Sequence, residues 1–269
     1  MGLEVLVEAV KTANEDTLRA MAVHAAAQEG VDVNTRAESA AGEEPTEGWL
    51  ALAAREGFVE TVRALTAAGA EVNHVDEHGE TALDGAAWNG HVEATRALLE
   101  AGAEVNHATN DGPTSLIGAA LGGHVEIMRA LLDAGAEVDH ADEDGETALH
   151  GAAMHGMVEV IPVLLEAGAV VDHADEDGFT SLMGAALGGH VEIMRALLEA
   201  GAVVDQVSND RETALCKAAA FGQGGALEAL LEAGADIDHA DNNGRTPLAA
   251  AQANNHEAAA LALVEAGAV

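Results

Sequence analysis

The sequence predicts an all-α fold, a solenoid of helix–turn–helix repeats with projecting β-hairpin-like loops, and three observations predict it. The first is a period. In the recurring pattern Asp-x-x-Gly-x-Thr-x-Leu the threonine falls at Thr81, Thr114, Thr147, Thr180, Thr213 and Thr246, each 33 residues after the last. The leucine two places on keeps step at Leu83, Leu116, Leu149, Leu182, Leu215 and Leu248. A period of this length marks repeats that stack, each touching mainly its neighbours, rather than a chain wrapped around one closed core. The second observation is the glycine punctuation inside each period, and the third is a strip of alanine and leucine held at the same register.

The repeat from Asp76 to Ala108 shows how each element arises. Thr81 precedes Ala82-Leu83-Asp84-Gly85-Ala86-Ala87-Trp88, a short helix whose first orphan amides a threonine oxygen can satisfy. Gly90 breaks it. A second helix runs from His91 to Ala101 with Val92, Leu98 and Leu99 on an apolar face, and Gly102 ends it because glycine tolerates the left-handed backbone of a helix C-terminus. Ala103-Glu104-Val105-Asn106 is extended and leads into the turn Thr109-Asn110-Asp111-Gly112. Ala86-Ala87 recurs as Ala119-Ala120, Ala152-Ala153, Ala185-Ala186 and Ala218-Ala219, small enough for close helix approach. The leucine pairs 98-99, 131-132, 164-165, 197-198 and 230-231 are expected to fill the seam between repeats, each buried Leu contributing roughly 1.5–3 kcal/mol. One repeat cannot offset its ordering entropy alone; a stack can.

These residues resemble the ankyrin repeat, whose pattern Asp-x-x-Gly-x-Thr-Pro-Leu-His-x-Ala-Ala they follow over residues 43–269. Seven repeats align, from near Glu43, Asp76, Thr109, Asp142, Asp175, Ser208 and Asp241. Residues 1–42 look like a degenerate N-terminal capping repeat with an acidic loop. Residues 43–240 hold six repeats and 241–269 a C-terminal capping repeat, one continuous solenoid that curves in the family's manner. The loop from Thr35 to Gly48 is the expected mobile stretch. Two kinds of repeat alternate with a period of 66, Thr-Ser-Leu at 114 and 180 against Glu-Thr-Ala-Leu at 80, 146 and 212, as duplication of a pair would leave.

The chain departs from the family pattern at several points. The motif's proline survives only as Pro247 and its histidine only as His150, so the hydrogen bonding that histidine supports must be missing or replaced. Pro162 falls inside a second helix and is expected to kink or shorten it. Arg211 replaces a turn glycine, and Gly222-Gln223-Gly224-Gly225 replaces Gly-His-Val-Glu; the weakest joint is expected there. The last helix starts polar, as a cap should, yet Ala258 to Val264 is apolar, which also fits an excised fragment.

Asp and Glu number 47 against 11 Lys and Arg, a formal net charge of −36 that repels phosphate backbones and argues against nucleic acid. Basic proteins, peptides or cations are the matching partners, although such charge also serves solubility alone. The N-terminus lacks the basic-then-apolar order of a signal peptide, no apolar stretch is long enough for a bilayer, and Cys216 is the single cysteine. An intracellular, cytoplasmic monomer without membrane attachment is expected. No nucleophile–base set, phosphate-binding loop or zinc motif is present, so the expectation is a protein that is not an enzyme and needs no cofactor.

The resemblance implies that a ligand lies along the concave side, on loop tips and first-helix faces. Carried onto this chain, the tips give an acidic stripe of Glu77, Glu80, Asp111, Glu143, Asp144, Glu146, Glu176, Asp177, Asp210 and Glu212, with His78 among them. The helix faces give Trp88, Asn89, Leu121, Met154, His155, Leu187 and Phe221, and Phe179 adds an aromatic at the tips. Interface hot spots favour aromatics, so these positions suit a basic partner segment with apolar anchors. A histidine ladder at His74, His107, His140, His173 and His239 offers a second reading, a cation- or pH-responsive element, because Asp76, Asp142, Asp175 and Asp241 follow four of them by two places and could orient the imidazoles. Rungs about 10 Å apart in this family cannot share one ion with bonds of about 2 Å, which favours local hydrogen bonds instead. His91, His124, His190 and His256 open second helices and are assigned a structural role. A passive acidic spacer within a larger assembly is the third reading.

Overall fold

The computed structural model describes residues 48–269. The capping repeat expected over residues 1–42, and the loop from Thr35 up to residue 47, lie outside the described residues. Fourteen helices occur among them, in two compact units divided between Glu137 and Val138.

The described part of the first unit contains α1 (Trp49–Arg55), α2 (Val59–Ala67), α3 (Ala82–Trp88), α4 (Val92–Glu100), α5 (Ser115–Leu121) and α6 (Val125–Asp133). First helices pack on first helices, α1 on α3 on α5, and second helices on second helices, α2 on α4 on α6. The second unit repeats the scheme with α7 (Ala148–His155), α8 (Ile161–Glu166), α9 (Ser181–Gly188), α10 (Val191–Glu199), α11 (Ala214–Ala220), α12 (Gly224–Glu232), α13 (Pro247–Ala253) and α14 (Glu257–Glu265). The loops are hairpin-like but carry only single antiparallel bridges, Ala108 with Thr114, Ala141 with Thr147 and Ala174 with Thr180.

The core follows the register read from the sequence. Leu83, Leu116, Leu149, Leu182 and Leu215 are buried, and the paired alanines from Ala86 to Ala219 are fully so. The leucine pairs differ from expectation. Leu98, Leu131, Leu164, Leu197 and Leu230 are wholly buried, but Leu99, Leu132, Leu165, Leu198 and Leu231 are only half-buried. Adjacent helical residues point about 100° apart, so one of a pair faces the seam and the other flanks it. Ile127, Met128, Ile193 and Met194 complete the seam.

Threonine capping holds at most first helices: Thr81, Thr180, Thr213 and Thr246 each accept the amide three residues on, at 3.3–3.4 Å. At α3 the cap is reciprocal. Asp84 Oδ2 accepts the Thr81 amide at 2.8 Å and its hydroxyl at 2.7 Å, and Asp84 Oδ1 accepts the Ser115 hydroxyl of the next repeat. This buried carboxylate takes over the inter-repeat role that the family's histidine keeps only at His150, whose Nε2 donates to the Phe179 carbonyl at 3.0 Å. Cys216 stands third in that register, its thiol 3.9 Å from the His239 carbonyl.

Pro162 does not kink a helix interior. It sits in the first turn of α8, where no intrahelical amide is required, and the helix starts late and runs six residues against nine in α4, α6 and α10. The glycine-rich stretch at 222–225 also behaves differently from its composition. Gly224 opens α12, which keeps nine residues, and Gln223 Nε2 donates to the Leu187 carbonyl at 3.0 Å. That bond has the register of His91 to Arg55, His124 to Trp88 and His190 to Met154, at 2.7, 3.1 and 3.1 Å, which are the structural bonds expected of those histidines.

The turn position at Arg211 is left-handed, with φ 61°, where Gly79, Gly112, Gly145, Gly178 and Gly244 have φ of 75–97°. A side chain there costs about 1–2 kcal/mol, offset in part by the greater unfolded-state freedom of glycine. Arg211→Gly is therefore expected to stabilise the chain by about 1 kcal/mol in urea unfolding; a lower midpoint would contradict this reading of the turn. Asp84→Ala removes the acceptor of two amide or hydroxyl groups and orphans the Ser115 hydroxyl, so a loss of about 2–3 kcal/mol is expected by the same measurement, with an unchanged midpoint as the contrary result.

Candidate functional site

Each loop tip is built by the first residue of its repeat. Asp76, Asp142, Asp175 and Asp241 each accept, through Oδ1, the amides two and four residues on, at 2.7–3.1 Å, which fixes a tight turn. Adjacent tips are then joined through their backbones. In the first unit the Asn110 amide donates to the His78 carbonyl at 2.9 Å and its side chain to the Glu77 carbonyl at 2.9 Å. In the second unit Glu176 donates to Asp144, Asn209 to Asp177 and Asn242 to Asp210, at 3.1, 2.8 and 3.0 Å. The tips of each unit therefore form a continuous row, and the side chains that the turn does not consume point away from it.

In the first unit Glu77, His78, Glu80 and Asp111 are exposed on this row. His78 lies 3.7 Å from Glu77. Trp88 and Asn89, at the end of α3, are exposed, and Leu121, at the end of α5, is half-buried. Trp88 is 56 % exposed, yet one edge of its ring rests on Gly118, where a Cβ would stand only 3.1 Å from the ring. In the second unit Glu143, Asp144, His155, Glu176, Asp177, Asp210 and Phe221 are exposed, while Glu146, Met154, Phe179 and Leu187 are half-buried. Phe221 is 53 % exposed, and at Gly184 it is the Met154 main chain and Cβ, at 3.4–3.5 Å, that a Cβ would meet.

Two expected site residues are already engaged. Glu212, placed with the accessible acidic stripe, is largely buried: it pairs with Lys217 and lies 3.3 Å from Arg245. The reason is Lys217, at a register where Gly85, Gly118, Gly151 and Gly184 stand in the sister repeats, and long enough to reach back to the tip. The same ammonium lies 5.3 Å from the centre of the Phe179 ring, so that ring is covered by a cation on one side.

The histidine ladder consists of structural hydrogen bonds where its partners are described. Nε2 of His107, His173 and His239 donates to the carbonyl of Gly79, Gly145 and Arg211 in the preceding turn, at 2.8, 3.2 and 3.0 Å. The aspartates do not orient these rings, since Asp175 and Asp241 direct Oδ1 to their own turns. His74 and His140 occupy the same register and are half-buried. No group of three or more His, Cys, Asp or Glu side chains among the described residues is placed to hold a metal ion. A second ladder was not recognised in the sequence. Asn73, Asn106, Asp139, Asp172, Asp205 and Asp238 each accept, through Oδ1, the amide 31 residues on, at 2.8–3.1 Å. Its signal was visible, because Asn or Asp recurs with the same period as the threonine.

Burial and, after it, charge crowding raise the pKa of two of the tip carboxylates. Burial, then the neighbouring Asp142, Asp175 and Asp144, raises the Glu146 pKa; burial, then Asp76 and Asp84, raises that of Glu80. Burial lowers the pKa of His150, whose ring packs edge-on against His173 at 5.6 Å.

The repeat geometry and the sequence now agree with known proteins. Family models for ankyrin repeats match this chain, one describing three copies at residues 2–109, 116–208 and 182–269, another describing many copies at residues 90–132. The crystal structure of the human ASB11 ankyrin repeat domain is similar, with a TM-score of 0.75 and 30 % identity, covering 81 % of this chain and 96 % of that one. No curated protein matches the chain. The chain belongs to the ankyrin repeat family, whose general role is protein–protein interaction. No helix among the described residues is long and apolar enough to cross a membrane.

The raised pKa of Glu146 sets a pH dependence. Its folded-state value lies above the ordinary 4.5, so the folded chain holds that proton more tightly than the unfolded chain. The charged carboxylate thus weakens the fold above the folded-state pKa, and this penalty fades as pH falls towards the ordinary value. Glu146→Gln is expected to raise the unfolding midpoint near neutral pH, with the gain vanishing below the ordinary glutamate range. A gain that grows on acidification would contradict the assignment.

Proposed function

We propose that this chain is a non-enzymatic protein-interaction scaffold that takes a basic, partly apolar segment of another protein in the concave acidic groove of its family. The observation that carries this reading is the pairing, within each unit, of an acidic tip row with apolar first-helix ends. Glu143, Asp144, Glu176 and Asp177 form no ion pair with any described lysine or arginine, so their field is available to a partner. The exposed arginines Arg63, Arg96 and Arg195 are occupied on second helices, facing Glu100, Glu93 and Glu232 at 3.0–3.2 Å. Uncompensated carboxylates steer a cationic segment towards the row, and desolvated apolar contacts then hold it. Trp88 and Phe221 are the anchors with most open surface; Leu121, Met154 and Leu187 offer smaller half-buried ones. The engaged Nε2 atoms of His107, His173 and His239 leave the histidine ladder less able to serve as a cation site.

The test is affinity capture from a lysate at low and high salt, with wild type and Trp88→Ala compared and both shown to be folded. A small set of basic proteins, lost at high salt and weakened by more than about 1 kcal/mol in Trp88→Ala, is the expected result. A diffuse set indifferent to the substitution would leave the acidity as solvation of a passive spacer.

A further inference from the structure

The tip row of the second unit steps from anionic to neutral along its length. Its first tip carries Asp142, Glu143, Asp144 and Glu146 and no lysine or arginine; the next carries Asp175, Glu176 and Asp177, again without one. The third carries Asp210 and Glu212, balanced by Arg211 and Lys217, and the last carries Asp241, balanced by Arg245. Backbone bonds join these four tips in order, so the step from anionic to neutral lies on one continuous edge.

Within the neutral part, two cations are spent. Lys217 pairs with Glu212, and Arg245 lies 3.2 Å from Asp241 and 3.3 Å from Glu212. Arg211 differs: it is exposed at the crest of its turn, and its guanidinium has no ion-pair or hydrogen-bond partner among the described residues. A free guanidinium at the neutral end of an acidic edge offers two parallel donors to a carboxylate, in a geometry lysine does not match.

From this charge step, and resting on the groove reading above, we infer that the second unit binds its partner segment in one direction, with a basic residue over Glu143 and Asp144 and an Asp or Glu side chain on Arg211. The spacing follows from the stack. Packed helices lie about 8–10 Å apart, so two tip-to-tip steps span about 16–20 Å. An extended chain advances about 3.3 Å per residue, which places the carboxylate about five or six residues from the basic side chain. Arg211 is then a specificity-determining residue: it rejects an all-basic segment at that end and rewards a segment of mixed sign.

The test uses the full chain and three labelled synthetic peptides titrated by fluorescence anisotropy. One carries a Lys-Leu-Lys run followed about six residues on by Glu, the second has the reverse order, and the third replaces the Glu by Lys. One of the two mixed peptides is expected to bind about fivefold more tightly than the other and than the all-basic control. In Arg211→Gly, which relieves the left-handed turn and so keeps the fold, that preference is expected to disappear and the all-basic peptide to bind at least as well as to wild type. Equal binding of all three peptides to wild type, or a preference that survives in Arg211→Gly, would overturn the inference while leaving the acidic groove standing. No binding of any of the three would remove the groove reading itself, and the inference with it.

Discussion

Within each unit, the structure depends on each repeat completing the hydrogen bonds of the one before it. A turn carbonyl is met by an imidazole 28 residues on, as in Gly79 and His107, and an amide is met by an Asn or Asp side chain 31 residues back, as in Glu104 and Asn73. A tip carbonyl is met by an asparagine 33 residues on, and a first-helix carbonyl by a histidine 36 residues on, as in Glu77 with Asn110 and Arg55 with His91. A repeat in isolation would leave these groups to water and its alanine–leucine strip uncovered, so stacking is a condition of folding rather than a consequence of it. The same bonds explain why the tips form rows. A chain that must register its turns to satisfy its backbone aligns the side chains those turns project.

The alternation with a period of 66 gains a physical meaning from the buried polar position three residues after the capping threonine. Asp84, His150 and Cys216 occupy it in one class of repeat, and Ile117 and Met183 in the other. In the first unit the polar member binds forward to Ser115, and in the second His150 binds forward to the Phe179 carbonyl. One seam within each unit is thus closed by a polar contact from this position. The carboxylate before the threonine follows the same alternation at Glu80, Glu146 and Glu212. Its fate differs by neighbour: burial and then nearby aspartates raise the pKa of the first two, whereas the third is paired with Lys217 and Arg245.

Much of the fold was legible because a period fixes register. Thr81 marks the start of α3 and Gly90 its end, and the alanine pairs mark the close contacts without further information. What the sequence left obscure depends on reach and direction in space. Pro162 reads as able to kink or to shorten its helix, and only its place in the first turn shows that the helix is shortened and not kinked. Leu98 and Leu99 look equivalent until helical geometry turns one of them out of the seam. Glu212 looks as open as Glu143 until Lys217 reaches back from the following helix. The candidate site was legible as a set of positions, but the engagement of Glu212 and Phe179, and the freedom of Arg211, were not, since each turns on which side chains reach one another in space.

The proposed groove puts the partner on the acidic tip rows and not on the arginine-bearing second helices. Hydrogen exchange of the full chain with and without a saturating Lys/Leu-rich peptide tests it most directly. Slowed exchange is expected at the amides of residues 143–146 and 176–179, with unchanged exchange in α4 and α10. Protection confined to those second helices, or spread evenly over the chain, would contradict it.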